Sequence, residues 1–364
     1  MSKKGKVLVA MSGGVDSSVT AMLLHEQGYD LVGITMKTWD YSSSGVNKKE
    51  TGCCDLDSIN DARTLAVKLG FPHYIIDIRD EFGNFIVDNF IGEYMAGRTP
   101  NPCVLCNTHI KWDALIKRAD MMGCEFIATG HYANVREENN RFIISRGHDK
   151  NKDQSYVLWG LKQDVLKRTM LPLGNFTKQQ IRQMAADRGY DDIAQKKESY
   201  EICFVPDNDY RSFLKHQKPE IIDLEGGDFV DKEGNVLGKH LGYPFYTIGQ
   251  RKGLTIALGR PVYVVEINPK TNTVVLGDLE DLEEHKMLVK NINLIKYDYL
   301  APEMGDVLTK VRYKDSGTMS TIKKNGNDLE VSFYKKVNAI APGQSAVFYE
   351  GDDLLGGGFI ERKL

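Results

Sequence analysis

Three serines, two glycines and one carboxylate crowd into Ala10-Met11-Ser12-Gly13-Gly14-Val15-Asp16-Ser17-Ser18, a combination suited to holding a phosphate. Ser12, Ser17 and Ser18 supply hydroxyl donors, and Gly13 and Gly14 let the backbone close on an anion with no side chain in the way. The run before them, Lys6 to Met11, is apolar and reads as a short buried strand. After them Val19, Met22, Leu23 and Leu24 recur at helical spacing, so the glycine turn opens a helix whose first N–H groups lack partners within it. Such an end attracts negative charge. The lysine of a Walker A loop is missing, as is the G-x-G-x-x-G dinucleotide fingerprint. A second reactive set is the cysteines, at 53, 54, 103, 106, 124 and 203. Only Cys103-Val104-Leu105-Cys106 has a spacing that by itself implies thiol or metal chemistry.

The elements around these residues alternate. Strands are expected at Val7 to Ala10, Leu31 to Met36, His73 to Ile78 and Phe126 to Thr129, with helices at Val19 to Gln27, Ser58 to Leu69, Glu81 to Met95 and Ile110 to Met122. That order predicts an α/β fold with a doubly wound, mainly parallel sheet. Ligands of such sheets bind beyond the carboxyl ends of the strands, so the loops at Ser12, at Met36 to Asp55 and at Gly130-His131 converge on one crevice. Met36 suits either an adenine face or the core. Pro100 and Pro102 stiffen a loop from Arg98 to Asn107 that presents two thiols. Thr177-Lys178-Gln179-Gln180 reads as a capping box. From about Pro206 glycine-rich turns and short alternating segments take over. The acidic run Gly277 to Glu284 reads as a linker, and strands at Val307 to Tyr313, Met319 to Lys323, Leu329 to Tyr334, Ser345 to Tyr349 and Gly357 to Arg362 suggest an antiparallel barrel.

A chain of 364 residues with 41% apolar and 27% charged residues has room for two or three domains with their own cores. No stretch approaches the roughly 20 apolar residues of a membrane span, and the N-terminus lacks a secretory apolar core, so a cytoplasmic protein is expected. Its six cysteines should then be reduced. The net charge of −3 hides an uneven distribution: Arg141 to Met170 carries seven Lys or Arg against three acids. That patch fits a nucleic-acid partner as well as a solvated helix face.

Ser12 to Ser17 resembles the SGGxDS loop of the PP-loop ATP pyrophosphatases, which cleave ATP to AMP and pyrophosphate while adenylating an oxygen. Together with the Asn101-Pro102 loop ending in Cys106, Thr129 to Ala133, Lys152-Asp153-Gln154, Cys203-Phe204 and Tyr246 to Leu254, it makes the chain similar almost end to end to the tRNA-specific 2-thiouridylases. The resemblance implies a PP-loop domain over residues 1–210, a small central domain over 211–284 and a C-terminal β-barrel over 285–364. It implies ATP-dependent 2-thiolation of the wobble uridine of tRNA, with Cys106 as nucleophile and Cys203 as carrier of a persulfide. It assigns Ala10, Met11, Ser12, Gly13, Gly14, Val15, Asp16, Ser17, Met36 and Gly130 to ATP, and Asn101, Pro102 and Cys103 to the target base. His131, Lys152, Asp153, Gln154, Arg312, Tyr313 and Gln344 fall to tRNA. Magnesium would accompany ATP, with Asp16 placed to hold it. A cysteine desulfurase or a sulfur-relay protein would supply the sulfur to a monomeric enzyme.

This division of labour makes chemical sense. A uracil carbonyl oxygen is a poor leaving group, so adenylation has to precede sulfur entry. The thiols are then expected in a polar, partly exposed setting that lowers their pKa. A base inside an anticodon loop must also be flipped out to be reached. One position departs from the family pattern. Cys103 stands where better-known members have Asp, so Asp-x-x-Cys becomes Cys-x-x-Cys. Cys103, Cys106 and Cys203 would then match the three ligands of an iron-sulfur cluster with one open iron, or a zinc site, unless Cys103 is a harmless replacement. Cys53, Cys54 and Cys124 are expected to be small buried side chains.

Overall fold

The computed structural model describes residues 4–39, 56–196, 202–205 and 209–364. Cys53, Cys54 and most of the Met36 to Asp55 loop lie outside them. Two compact units emerge: Met1–Phe85 with Cys103–Asn208 and Asp352–Leu354, and Ile86–Pro102 with Asp209–Gly351 and Leu355–Leu364.

In chain order the first half runs β1 (Lys6–Ala10), α1 (Val15–Glu26), β2 (Asp30–Lys37), α2 (Leu56–Leu69), β3 (His73–Asp77), α3 (Arg79–Phe82), α4 (Asp88–Met95), α5 (Pro102–Leu105), α6 (Trp112–Met121), β4 (Phe126–Ala128), β5 (Ala133–Glu138), β6 (Arg141–Arg146), α7 (Gln163–Leu166), β7 (Thr169–Met170), α8 (Lys178–Asp187) and α9 (Asp191–Ala194). The five strands β3-β2-β1-β4-β7 form a parallel sheet in that order. Val7, Val9, Val19, Met22, Leu24, Leu31 and Leu65 are buried in its core. Because the chain steps from β1 to β2 on one side and later to β4 on the other, the order reverses beside β1, where open α/β sheets bind ligands.

Two local expectations change. The loop from Arg98 to Asn107 becomes helical from Pro102: α5 passes through a wider π turn, Cys106–Lys111, into α6. Pro102 occupies the first helical position, where its fixed φ is favourable and its missing N–H costs nothing, so the second proline starts a helix instead of blocking one. The basic patch, in turn, is no helix face. Arg141 and Arg146 lie on β6, paired with β5 across Asn139 and Asn140, both at positive φ as a tight hairpin turn requires. Arg168 is an internal strut, paired with Asp120 at 2.6 Å and donating to the Glu125 and Cys124 carbonyls. Asp353 stands opposite Ser145 and takes two hydrogen bonds from Arg136, at 2.7 and 2.9 Å.

The second unit begins its later part with α10 (Tyr210–Gln217). A small sheet follows from β8 (Asp228–Val230), β9 (Val236–Lys239), β10 (Tyr263–Asn268) and β11 (Thr273–Gly277), in the order β10-β11-β8-β9. Then β12 (Glu283–Leu294), β13 (Glu303–Lys310), β14 (Thr318–Asn325), β15 (Asp328–Asn338), β16 (Ser345–Glu350) and β17 (Asp353–Lys363) line up β12-β15-β14-β13-β16-β17, and pairing of β12 with β17 closes them into an antiparallel barrel. Met287, Val307, Ile322, Val331, Phe348 and Ile360 fill it. The acidic run joins the small sheet to the barrel as a capped turn leading straight into β12: Asp278 and Asp281 form a capping box, and Arg260, Lys232 and Lys336 pair with Asp278, Asp281 and Glu283. Local neutralisation lets this segment fold. Arg312 and Tyr313 lie in the turn after β13, braced where the Asp315 carboxylate accepts from the Val311 and Gly317 N–H groups.

Candidate active site

The glycine loop joins β1 to α1 in a conformation that few other residues would allow. Gly13 has φ +72°, and a Cβ there would sit 2.0 Å from the Ser58 carbonyl oxygen, so α2 packs directly on the loop backbone. Ser17 ties the turn together: its hydroxyl accepts from the Ser12 N–H at 3.1 Å and donates to the Gly14 carbonyl at 3.1 Å. The first N–H groups of α1 consequently face the carboxyl end of the sheet, as an anion site needs. Gly130, just past β4, closes on the same loop; a Cβ there would lie 2.9 Å from the Asp16 backbone. Met36 ends β2, half-buried, on the neighbouring strand.

Asp16 is already engaged. Its carboxylate accepts from the Tyr132 hydroxyl at 2.6 Å and from the Lys178 ammonium at 2.8 Å on each oxygen. Lys178 opens α8 behind the Thr177 capping box and is nearly buried, its side chain 11% exposed, an environment that demands a counter-charge. Tyr132 is itself held by Gln154, whose side-chain oxygen accepts from the Tyr132 N–H at 3.0 Å, while Asp153 accepts from Gly147 and Ser155. Gln154 thus braces the glycine loop through Tyr132, while Asp153 holds its own turn together. Lys196 adds a second cation behind the loop, donating to the Gly13 carbonyl at 2.8 Å and pairing with Asp61. Tyr132 lies inside the Thr129 to Ala133 motif but was given no role there; Lys178 and Lys196 escape a reading of the sequence, and only the capping box before Lys178 hints at a fixed position.

The thiols are placed differently from expectation. Cys103 is exposed on α5, whereas Cys106, three residues on, is buried where the π turn begins. Burial pushes the Cys106 thiol up to about 11, against the pull of Lys111, so it is protonated near neutral pH rather than activated. Crowding raises Cys103 as well, although it reaches the surface. Lys111 acts on both thiols and on His131, which burial and that same ammonium pull down to about 3. His131 is therefore neutral, hydrogen-bonded to Thr129 at 2.8 Å. Cys203 is exposed, anchored by its neighbour Phe204, whose buried ring packs on Phe82 and on Trp39 just past β2. Cys124 is buried and raised by burial, as a structural thiol would be.

Among the described residues no three His, Cys, Asp or Glu side chains gather as a metal-ligand set. In alkylation with iodoacetamide at pH 8, Cys106 is expected to react well after the exposed Cys203. A pKa near 11 instead of 9.0 leaves about a hundredfold less thiolate, and burial slows access further. Peptide mapping over time checks the order, and equal rates at Cys106 and Cys203 would refute it.

In the second unit Gln344 donates to the Pro100 carbonyl at 2.8 Å and the Asn101 amide reaches the Ser345 hydroxyl at 3.4 Å, so residues 101–102 are pinned beside β16. Arg312 and Tyr313 are exposed at their turn.

Three family models match in series: a tRNA methyl transferase HUP domain over residues 5–207, a tRNA methyl transferase PRC-barrel domain over 211–278 and an aminomethyltransferase beta-barrel domain over 284–360. A tRNA-specific 2-thiouridylase MnmA of Cytophaga hutchinsonii is 63% identical over 99% of this chain and 98% of its own. Proteins of the same name from Amoebophilus asiaticus and Salinibacter ruber are 62% and 57% identical, over 99% and 100% of this chain and 96% of each relative.

Proposed function

This chain belongs to the tRNA-specific 2-thiouridylases, and from that premise we propose that it is a tRNA sulfurtransferase that spends ATP to replace O2 of the wobble uridine with sulfur. The observation that carries the reading is the glycine loop at the sheet's switch point, locked by Ser17 and gripped through Asp16 by a buried lysine. In this reading the N–H groups of the α1 end cradle the phosphates, Met36 packs the adenine, and uridine O2 attacks the α-phosphate so that pyrophosphate leaves. Magnesium accompanies ATP as part of the substrate. Asp16 would hold that cation, which would leave the Lys178 ammonium to the phosphates as the charge that the missing Walker A lysine would otherwise give. Asn101, Pro102 and Gln344 receive the flipped base, while Arg312 and Tyr313 offer a phosphate contact and a stacking face.

The sulfur step follows from the thiols. Cys203, exposed, takes a persulfide from a cysteine desulfurase or relay protein. Cys106 loses its proton, and its thiolate attacks Cys203 Sγ, breaking the sulfur–sulfur bond and expelling hydrosulfide. Hydrosulfide adds at C2 of the adenylated uridine, and AMP leaves with the old oxygen. The two electrons that turn sulfane sulfur into sulfide come from the two thiols, which end as a Cys106–Cys203 disulfide.

Two of the domain descriptions name methyl transfer, and one assay separates the possibilities. Incubated with ATP, a persulfide donor and tRNA bearing an unmodified wobble uridine, the protein is expected to form AMP and pyrophosphate, and the tRNA to gain sulfur in place of oxygen. Formation of ADP and phosphate, equal ATP turnover without tRNA, or a methylated product would overturn the assignment.

A further inference from the structure

Cys103 has no part in the scheme above, yet its placement is specific. It stands three residues before Cys106 on the same helical run, an exposed residue where Cys106 is buried. Residues three apart on a helix are side-chain neighbours with Cα atoms about 5 Å apart, inside the 4.4–6.8 Å range that a disulfide bridges without moving the backbone. Each turnover, on the persulfide reading, leaves Cys106 locked to Cys203. Half of that disulfide is a buried sulfur that a protein-sized reductant cannot reach, and the other half is the one that must be freed before new sulfur can load.

We infer that Cys103 is the resolving thiol of the sulfur step: it attacks Cys106 Sγ, expels Cys203 and leaves a Cys103–Cys106 disulfide with one half on an exposed residue. Cys103 gives its proton to solvent, the Cys103–Cys106 bond forms, the Cys106–Cys203 bond breaks, and the Cys203 thiolate takes up a proton, so no net oxidation occurs. A dithiol protein then donates two electrons to the Cys103–Cys106 bridge and is itself oxidised. Exchange at Cys106 goes forward because the thiolate expelled is the exposed, well-solvated one; displacement of Cys106 from its buried site, with its raised pKa, is the slower alternative. This role rests on the persulfide reading, and it also gives a function to a cysteine where the family pattern has an aspartate.

The test uses the full-length protein, loaded with persulfide, mixed with ATP and equimolar tRNA, quenched with N-ethylmaleimide after one turnover and digested without reduction. Wild type is expected to yield the Cys103–Cys106 bridge. Cys103→Ser is expected to yield Cys106–Cys203 and, with a reduced dithiol protein of thioredoxin type as sole reductant, a burst of one thiolation per enzyme followed by a steady state at least about tenfold slower than the burst. Cys106–Cys203 as the sole bridge in quenched wild type would overturn the proposal, and so would thiolated tRNA with no bridge at all. Because wild-type mapping suffices, a Cys103→Ser protein that fails to fold leaves the test intact. Loaded enzyme that adenylates tRNA but never thiolates it would instead overturn the persulfide reading itself.

Discussion

Cys106→Ser is expected to cut tRNA thiolation by about a thousandfold or more while tRNA-dependent formation of AMP and pyrophosphate continues. The serine hydroxyl keeps the size of the buried side chain, so the π turn and α6 should be undisturbed, but it cannot break a sulfur–sulfur bond. Cys203→Ser should fall as far, because nothing then carries the sulfur, and the double variant should be no worse than either single one, since the two thiols act in one step. The pH dependence follows from burial. With its pKa near 11, Cys106 gains thiolate about tenfold per pH unit from 7 to 9, so single-turnover thiolation should climb with pH over that range. Stability runs the other way. A thiol whose folded pKa is raised favours the native state below its unfolded value near 9, and that contribution is lost as pH rises through about 11. Rapid-quench assays of sulfur incorporation and of pyrophosphate release decide the matter. Thiolation within tenfold of wild type in Cys106→Ser would remove Cys106 from the mechanism.

Lys178→Met is expected to raise the KM for ATP by between about 10- and 100-fold, as loss of one charge-assisted contact of 1.5–3 kcal/mol would, with tRNA affinity unchanged. Methionine retains the buried stem but not the charge, which also leaves Asp16 with Tyr132 as its remaining donor of the two seen here. Asp16→Asn separates the contributions: if the lysine serves the phosphates and the aspartate serves the cation, the double variant should be close to the worse single one. Unchanged ATP kinetics in Lys178→Met would reduce the pair to a structural strut.

These residues also show where sequence reading succeeds. The glycine loop was legible because its chemistry is local: Ser12 to Ser18 make their own turn. The sheet was legible because buried parallel strands are short apolar runs between amphipathic helices, and β1, β2, β3 and β4 fall within a residue or so of expectation. Barrel strands β13 to β17 showed through their alternation, whereas β12, which closes the barrel, went unread. Lys178 was not legible, since a lysine at the start of a helix ordinarily reads as solvated and its partner is 162 residues away. The Cys106 environment was misread for a related reason: prolines signalled a loop, whereas Pro102 at a first helical position begins a helix that carries Cys106 inward. The β5–β6 hairpin was missed because Asn139-Asn140 makes its turn without a glycine.

The bond between Arg136 and Asp353 sets a timetable for synthesis. Arg136 emerges 217 residues before its partner, and at about 5–20 residues per second the ribosome takes roughly 10–40 s to deliver Asp353. Through that interval the β5–β6 hairpin lacks the strand residue that faces Ser145. A nascent chain halted before Asp352 therefore presents this hairpin to chaperones and proteases, and a premature stop close to the C-terminus weakens the part of the protein made first.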